Sequence, residues 1–204
     1  MTISEVLMRN LVSFLVLITI SLFMTGSAPA KDFEPARYKF DKDHTTILFF
    51  INHLGYSDKI GRFNDYEGYF LFDEKNPESS KTEVTIKTTS IDTGSKVLDA
   101  KLQEKDWFNT AEFPDIKFRS TQVNVTGTNK ADVVGWLTML GVEKPVTLHA
   151  TFNKAAEMPM VKHYVAGFSA DGIVKRSDFG MISGVPFVEE NVRVHIEMEG
   201  IREE

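Results

Sequence analysis

The 204-residue chain contains no cysteine. That absence excludes thiol catalysis, disulfide stapling, iron–sulfur clusters, thiolate zinc sites and an acylated-cysteine membrane anchor. Basic charge is also short. Lys plus Arg number 23 against 29 Asp plus Glu, a net charge of −6, so no basic face awaits a nucleic-acid partner. Catalytic signatures are missing as well: the chain has no phosphate-cradling glycine loop ending in Lys-Ser/Thr, no HExxH, no GxSxG elbow and no dinucleotide fingerprint. The apolar run from Leu11 to Met24 holds no charge, but at 14 residues it falls short of the roughly 20 a spanning helix needs.

That run has the features of an address. Arg9 precedes it, and Ala28-Pro29-Ala30 follows with the small-x-small pattern of a signal-peptidase site. Residues 1–30 are therefore expected to be a cleaved secretory signal peptide, leaving 174 of the 204 residues as one mature domain, 31–204, destined for the periplasm. Counting through Ala30 would reach the length of an uncleaved anchor, which is the alternative. Cleavage removes Glu5 and Arg9 together, so the net charge stays −6. Glu5 sits in a region that should be positive, and Met8-Arg9-Asn10 makes a cleaner start, so Met8 rather than Met1 is the expected initiator.

The mature chain alternates. His44 to His53 sets Ile47, Phe49 and Ile51 against Thr46, Leu48 and Phe50, the period of two that sends neighbours to opposite faces of a sheet. Ile60 to Asp73 groups Tyr66, Gly68, Phe70 and Phe72, with bends expected at Gly61, Gly68 and Asn64-Asp65. Lys81–Thr89, Asp115–Val125, Asp132–Leu140, Lys144–Asn153, His163–Val174 and Asn191–Ile201 read as further strands. Ser95 to Asp106 breaks the period; Leu98 and Leu102 lie four apart and Ser95 is a candidate N-cap, so one short helix is expected there. About eight strands, mostly joined by short turns, predict an all-β fold: an antiparallel meander closed into a barrel, which removes exposed edges. A barrel of that size is either filled by its own side chains or holds one ligand.

Sixteen Phe, two Trp and five Tyr fall largely in phase on these strands. They are either core or the lining of a cavity for an extended apolar molecule. The five histidines show no metal-site spacing, and none is expected to hold a metal; His53, beside Leu54-Gly55, is a polar candidate near a cavity mouth. Arg176-Ser177-Asp178-Phe179-Gly180 reads either as a turn fixed by a self-paired Arg176–Asp178, or as a site where Arg176 meets an anionic head group. Asp99 and Asp106 read as caps and surface charges.

An ordered set of phrases resembles the YceI-like family of exported lipid-binding proteins. It runs from His44-Thr45-Thr46-Ile47 through His53-Leu54-Gly55, Gly61-Arg62-Phe63, Tyr66-Glu67-Gly68, Ser90-Ile91-Asp92-Thr93, Asp99 to Leu102 and Trp107-Phe108. It continues with Phe113-Pro114-Asp115-Ile116-Lys117-Phe118-Arg119-Ser120, Gly135-Trp136-Leu137-Thr138, Gly141 to Val146 and Arg176 to Gly180. The resemblance covers about residues 37 to 201 and implies an extended lipocalin-like barrel enclosing a hydrophobic channel for an isoprenoid quinone or polyprenyl phosphate. The chain departs from the family pattern at Lys101, where His is usual, and at Leu140, where His or Arg is frequent.

The expected lipid lining is Ile47, Phe49 and Ile51, then Phe70 and Phe72, Ile116 and Phe118, Leu137 and Met139, Phe168, and Val194 and Ile196, with Trp107 and Phe108 closing an end. His53 and Arg176 are the head-group candidates. No cofactor beyond the bound lipid and no catalytic residue is expected. An enzyme acting on such a lipid through His53, Asp99 or Arg176, and a secreted interaction protein with a solid barrel, are the alternatives. Apolar residues on both faces of the first strand also suggest a homodimer. Mass spectrometry of a trapped precursor should find a chain starting at Met8 or Arg9; one starting at Thr2 contradicts that initiator.

Overall fold

Period-two alternation runs through most of the described chain, residues 35–160 and 162–204 of this computed structural model, and it produces eleven strands. The expected signal peptide and the choice between Met1 and Met8 lie outside the described residues. In order the strands are β1 (Ala36–Phe40), β2 (Thr46–His53), β3 (Ser57–Phe63), β4 (Tyr66–Phe72), β5 (Lys81–Lys87), β6 (Ile91–Asp92), β7 (Asp115–Gly127), β8 (Lys130–Met139), β9 (Val142–Glu157), β10 (Tyr164–Lys175) and β11 (Asn191–Arg202). The helix α1 (Lys96–Leu102) lies between β6 and β7. Eight strands close a ring in the order β1-β4-β5-β7-β8-β9-β10-β11 and back to β1, every pairing antiparallel. The fold is thus the expected all-β, lipocalin-like eight-stranded barrel with one short helix.

The ring is extended at one end. β11 pairs through Gly200–Arg202 with β1 and through Arg193–Glu197 with β2, so β1 and β2 run one after the other along the same neighbour. β3 and β4 do likewise, pairing with β2 and β1. The stretch read as one strand from Ile60 to Asp73 is therefore two, broken at Asn64-Asp65. There the Asn64 N–H donates to the Ser90 carbonyl and the Asp65 carbonyl accepts from the Lys87 N–H. β1 escapes the sequence reading because only two of its five residues, Tyr38 and Phe40, are buried.

Two other readings are corrected. Ser95 occupies the N-cap position of α1, but its hydroxyl caps nothing; Asp99 instead accepts from the Thr93 N–H and hydroxyl, both at 2.7 Å. Arg176 does not pair with Asp178. It is buried in a 3-10 turn, Arg176–Phe179, and its guanidinium donates to four carbonyls: Nε to Glu189 at 2.9 Å, Nη1 to Met181 at 2.9 Å and Ser183 at 2.7 Å, and Nη2 to Val188 at 2.9 Å. Burial pulls its pKa below the ordinary arginine value, yet charge-assisted bonds to four carbonyls fix the β10–β11 connection.

Outward positions carry a row of ionisable groups. Opposed residues form a row across four strands, Asp132, His149, Asp171 and His195. His195 Nδ1 lies 2.7 Å from Asp171 and Nε2 lies 2.9 Å from Glu197.

Arg176→Met leaves four carbonyls without their donor and is expected to cost about 3 kcal/mol of unfolding free energy in a urea titration; an unchanged midpoint contradicts the clamp. The hydrogen bond to Asp171 raises the His195 pKa above its ordinary 6.5. A raised folded value stabilises below the unfolded value, and that stabilisation is lost as pH rises through the folded one. The stability gap between wild type and His195→Gln should therefore be wider near about pH 6 than near about pH 8.5; a gap that widens with pH reverses the assignment.

Candidate functional site

The inward side chains leave the barrel hollow. An apolar cavity of about 820 Å³ occupies its interior, a volume at the upper end for small-molecule pockets. β2 contributes Ile47, Phe49 and Ile51; β4 contributes Phe70 and Phe72; β7 contributes Ile116 and Phe118; β8 contributes Leu137 and Met139; β10 contributes Phe168; β11 contributes Val194 and Ile196. Trp107 and Phe108, in the segment after α1, also face the cavity. The structure therefore brings together all fourteen residues of the expected lining.

Sequence reasoning passed over the contributions of β5 and β9. Val84 and Ile86 line the cavity from β5, and Val146, Leu148, Ala150 and Phe152 line it from β9. Their signal was the same alternation, diluted by polar and small neighbours. Leu98, Lys101 and Leu102 face the cavity from α1 at helical spacing.

Aromatic rings pack one against another toward the end where β4 finishes. Tyr38 stacks on Phe70 with centroids 4.9 Å apart, and Phe168 meets Phe72 edge to face at 5.0 Å. Phe152 lies 5.3 Å from Phe72. At the opposite end Phe63 meets Phe108 edge to face at 5.8 Å. Rings held by rings keep their rotamers, so the wall is preformed.

The mouth follows from strand pairing. β3 has β2 on one side, but on the other only Arg62 and Phe63 pair, with Asp92 and Ile91 of β6. The remaining edge, Ser57 to Gly61, faces no strand among the described residues. Alternation turns Ser57 and Lys59 inward there beside His53, and α1 adds Ser95 and Lys101 to the same cavity wall. His53 is exposed at the rim, where β2 ends and bridges to Val188. At the far end the cavity meets Glu74, Ser80, Lys81, Asn129 and Lys130. The Ser80 hydroxyl is buried there with no hydrogen-bond partner among the described residues.

Charge on the wall opposes that of the chain. The ionised residues along the cavity are Lys59, Lys81, Lys101, Lys130 and Arg176, against one carboxylate, Glu74, although the net charge of the protein is −6. Arg176 is spent on its four carbonyls, and Glu74 accepts from the Tyr164 hydroxyl at 2.7 Å. Lys59 and Lys101 have no ion pair among the described residues; Asp58, next to Lys59 in the chain, is held by Asn52 and Arg193, and Asp99 by Thr93. Of the two head-group candidates, His53 stands at the mouth and Arg176 is built into the wall.

Residues 38–200 match the sequence model of a family described as a YceI-like domain. A UPF0312 protein of Pseudomonas aeruginosa is 41% identical over 185 residues, which covers 90% of this chain and 93% of that protein. The crystal structure of the Campylobacter jejuni YCEI protein superposes with a TM-score of 0.67 at 30% identity, over 75% of this chain and 90% of that one. A polyisoprenoid binding domain from Saccharophagus degradans shares the fold, with a TM-score of 0.61 at 13% identity, over 83% of this chain and 99% of the other. Matched by the family model across nearly the whole barrel, and 41% identical to a relative along most of its length, this chain belongs to the YceI-like family.

Proposed function

We propose that the protein is a non-enzymatic carrier that binds an isoprenoid lipid with the prenyl chain inside the barrel and the head group at the β3–α1 mouth. The observation that carries this reading is the preformed apolar cavity of about 820 Å³. Each methylene moved from water into it contributes about 0.8 kcal/mol, so a long prenyl chain binds with few polar contacts. The S. degradans relative in fold, described as a polyisoprenoid binding domain, supports the same ligand class. Lys59 and Lys101, cationic at the mouth and without an ion pair among the described residues, favour a polyprenyl phosphate over a neutral quinone as the head-bearing lipid. The N-terminal run and Ala28-Pro29-Ala30 support export to the periplasm, where such a lipid needs cover from water. No cofactor besides the lipid enters this reading.

The cavity speaks against the solid-barrel alternative. Two of the three residues of the enzyme alternative do structural work, Asp99 at the start of α1 and Arg176 at the β10–β11 connection, which leaves His53 alone at the mouth without a catalytic partner from that set.

Ala170 lies on β10 and faces the cavity. Ala170→Trp fills the channel without adding a charge, and should weaken polyprenyl phosphate binding by about tenfold or more, read by fluorescence titration with far-UV circular dichroism as the folding check. A folded variant that binds as tightly as wild type places the lipid elsewhere.

A further inference from the structure

Six of the eleven large apolar side chains exposed among the described residues gather at the end of the barrel that carries the mouth: Leu54, Tyr56, Val97, Ile182, Val185 and Phe187. Tyr56 is 87% exposed, Val97 82% and Phe187 68%. They sit on three separate elements: the β2–β3 hairpin tip, the first turn of α1 and the loop before β11. None of the six lines the cavity, although their neighbours His53, Leu98 and Val188 do. Isolated apolar residues are ordinary on a surface, but a cluster around an opening marks a contact site.

The collar is held in place rather than loosely exposed. Leu54 and Gly55 take left-handed backbone angles, φ 57° and 77°, the conformation of a tight hairpin turn. That conformation is uncommon for leucine. The Gly55 N–H donates to the Asn52 side chain at 2.7 Å, and the Leu54 N–H donates to the Phe187 carbonyl at 3.2 Å. The hairpin tip and the loop before β11 are thus hydrogen-bonded to each other. The Arg176 clamp anchors the same loop through Ser183 and Val188.

Charge narrows the partner. Residues 54–57 and 182–188 contain no ionisable acid or base apart from the Tyr56 phenol, in a chain of net charge −6. An uncharged tip with a tyrosine among aliphatic and phenyl groups fits the boundary between lipid head groups and acyl chains. Lys59 and Lys101, just inside, stand at the level where lipid phosphates would lie. A second copy seated on this collar would cover the opening, whereas a bilayer would make it continuous with the cavity.

We infer that this collar docks the mouth on a phospholipid bilayer, so that a lipid passes between membrane and cavity without crossing water. The inference rests on the carrier reading above. Because the contact is apolar insertion, it survives high salt, unlike attraction between surface charges.

The test is co-flotation of the full chain with phosphatidylcholine–phosphatidylethanolamine vesicles at low and high salt. Wild type is expected to float at both. The double variant Tyr56→Ser/Phe187→Ser should lose about tenfold or more of its vesicle affinity and exchange polyprenyl phosphate between vesicles more slowly. Its loading from detergent micelles should stay unchanged. Met160→Ser, exposed on the loop beyond β9, is the control and should float as wild type does. Wild type left in the aqueous fraction, or a double variant that floats normally, overturns the docking surface. So does a wild-type dimer in sedimentation that the double variant breaks without changing flotation. Loss of loading from micelles by wild type would instead count against the carrier reading itself.

Discussion

Closure of the barrel turns on the point where β11 changes partners. Glu199 sits between its β2-paired and β1-paired halves, and there the ladder would lose both of the residue's backbone bonds. The Thr45 hydroxyl replaces them, donating to the Glu199 carbonyl at 3.1 Å and accepting from its N–H at 3.2 Å. The Asp41 N–H adds a bond to the same carbonyl at 2.9 Å, and the Tyr66 hydroxyl donates to the Thr45 carbonyl at 2.6 Å. Buried backbone groups need partners, and this threonine–tyrosine pair supplies them where no strand can. The jog it permits lets one eight-stranded ring carry a second storey, β2, β3 and β6, at one end.

That second storey determines where the site opens. Because β6 is two residues long and pairs only with the end of β3, the rest of the β3 edge stays free and α1 stands across from it. Edges are usually paired or covered; here the uncovered stretch is the entrance. The same economy explains why Lys59 and Lys101 face a mostly apolar space: they line the cavity beside the unpaired stretch of β3. Arg176, farther along, serves the opposite purpose and anchors the loop that frames the mouth.

Much of this was legible in the residues. Alternation at Ile47-Phe49-Ile51 and Val194-Ile196 points the right side chains inward because a period of two admits no other assignment once one face is buried. The short helix was legible from Leu98 and Leu102. β1 was not, since five residues with two apolar positions carry too little periodicity to separate from a loop. The Asn64-Asp65 pair signalled a bend, but not the end of one strand and the start of another, which depends on the Ser90 carbonyl and the Lys87 N–H brought near by the rest of the fold. Arg176 misled for a related reason. An Arg two residues from an Asp suggests a local pair, and only the folded chain shows four carbonyls converging on the guanidinium. The lining from β9 was readable but diluted, because Ala150 and the polar residues around it lower the contrast of the pattern.

The central claim is that the cavity exists to hold a lipid. Native mass spectrometry of the purified protein, followed by organic extraction and identification of what leaves, tests it most directly. The account predicts a stoichiometric adduct whose mass and fragments are those of a prenyl chain with an anionic head. A protein that emerges empty, and that also refuses added polyprenyl phosphate and isoprenoid quinone, contradicts it.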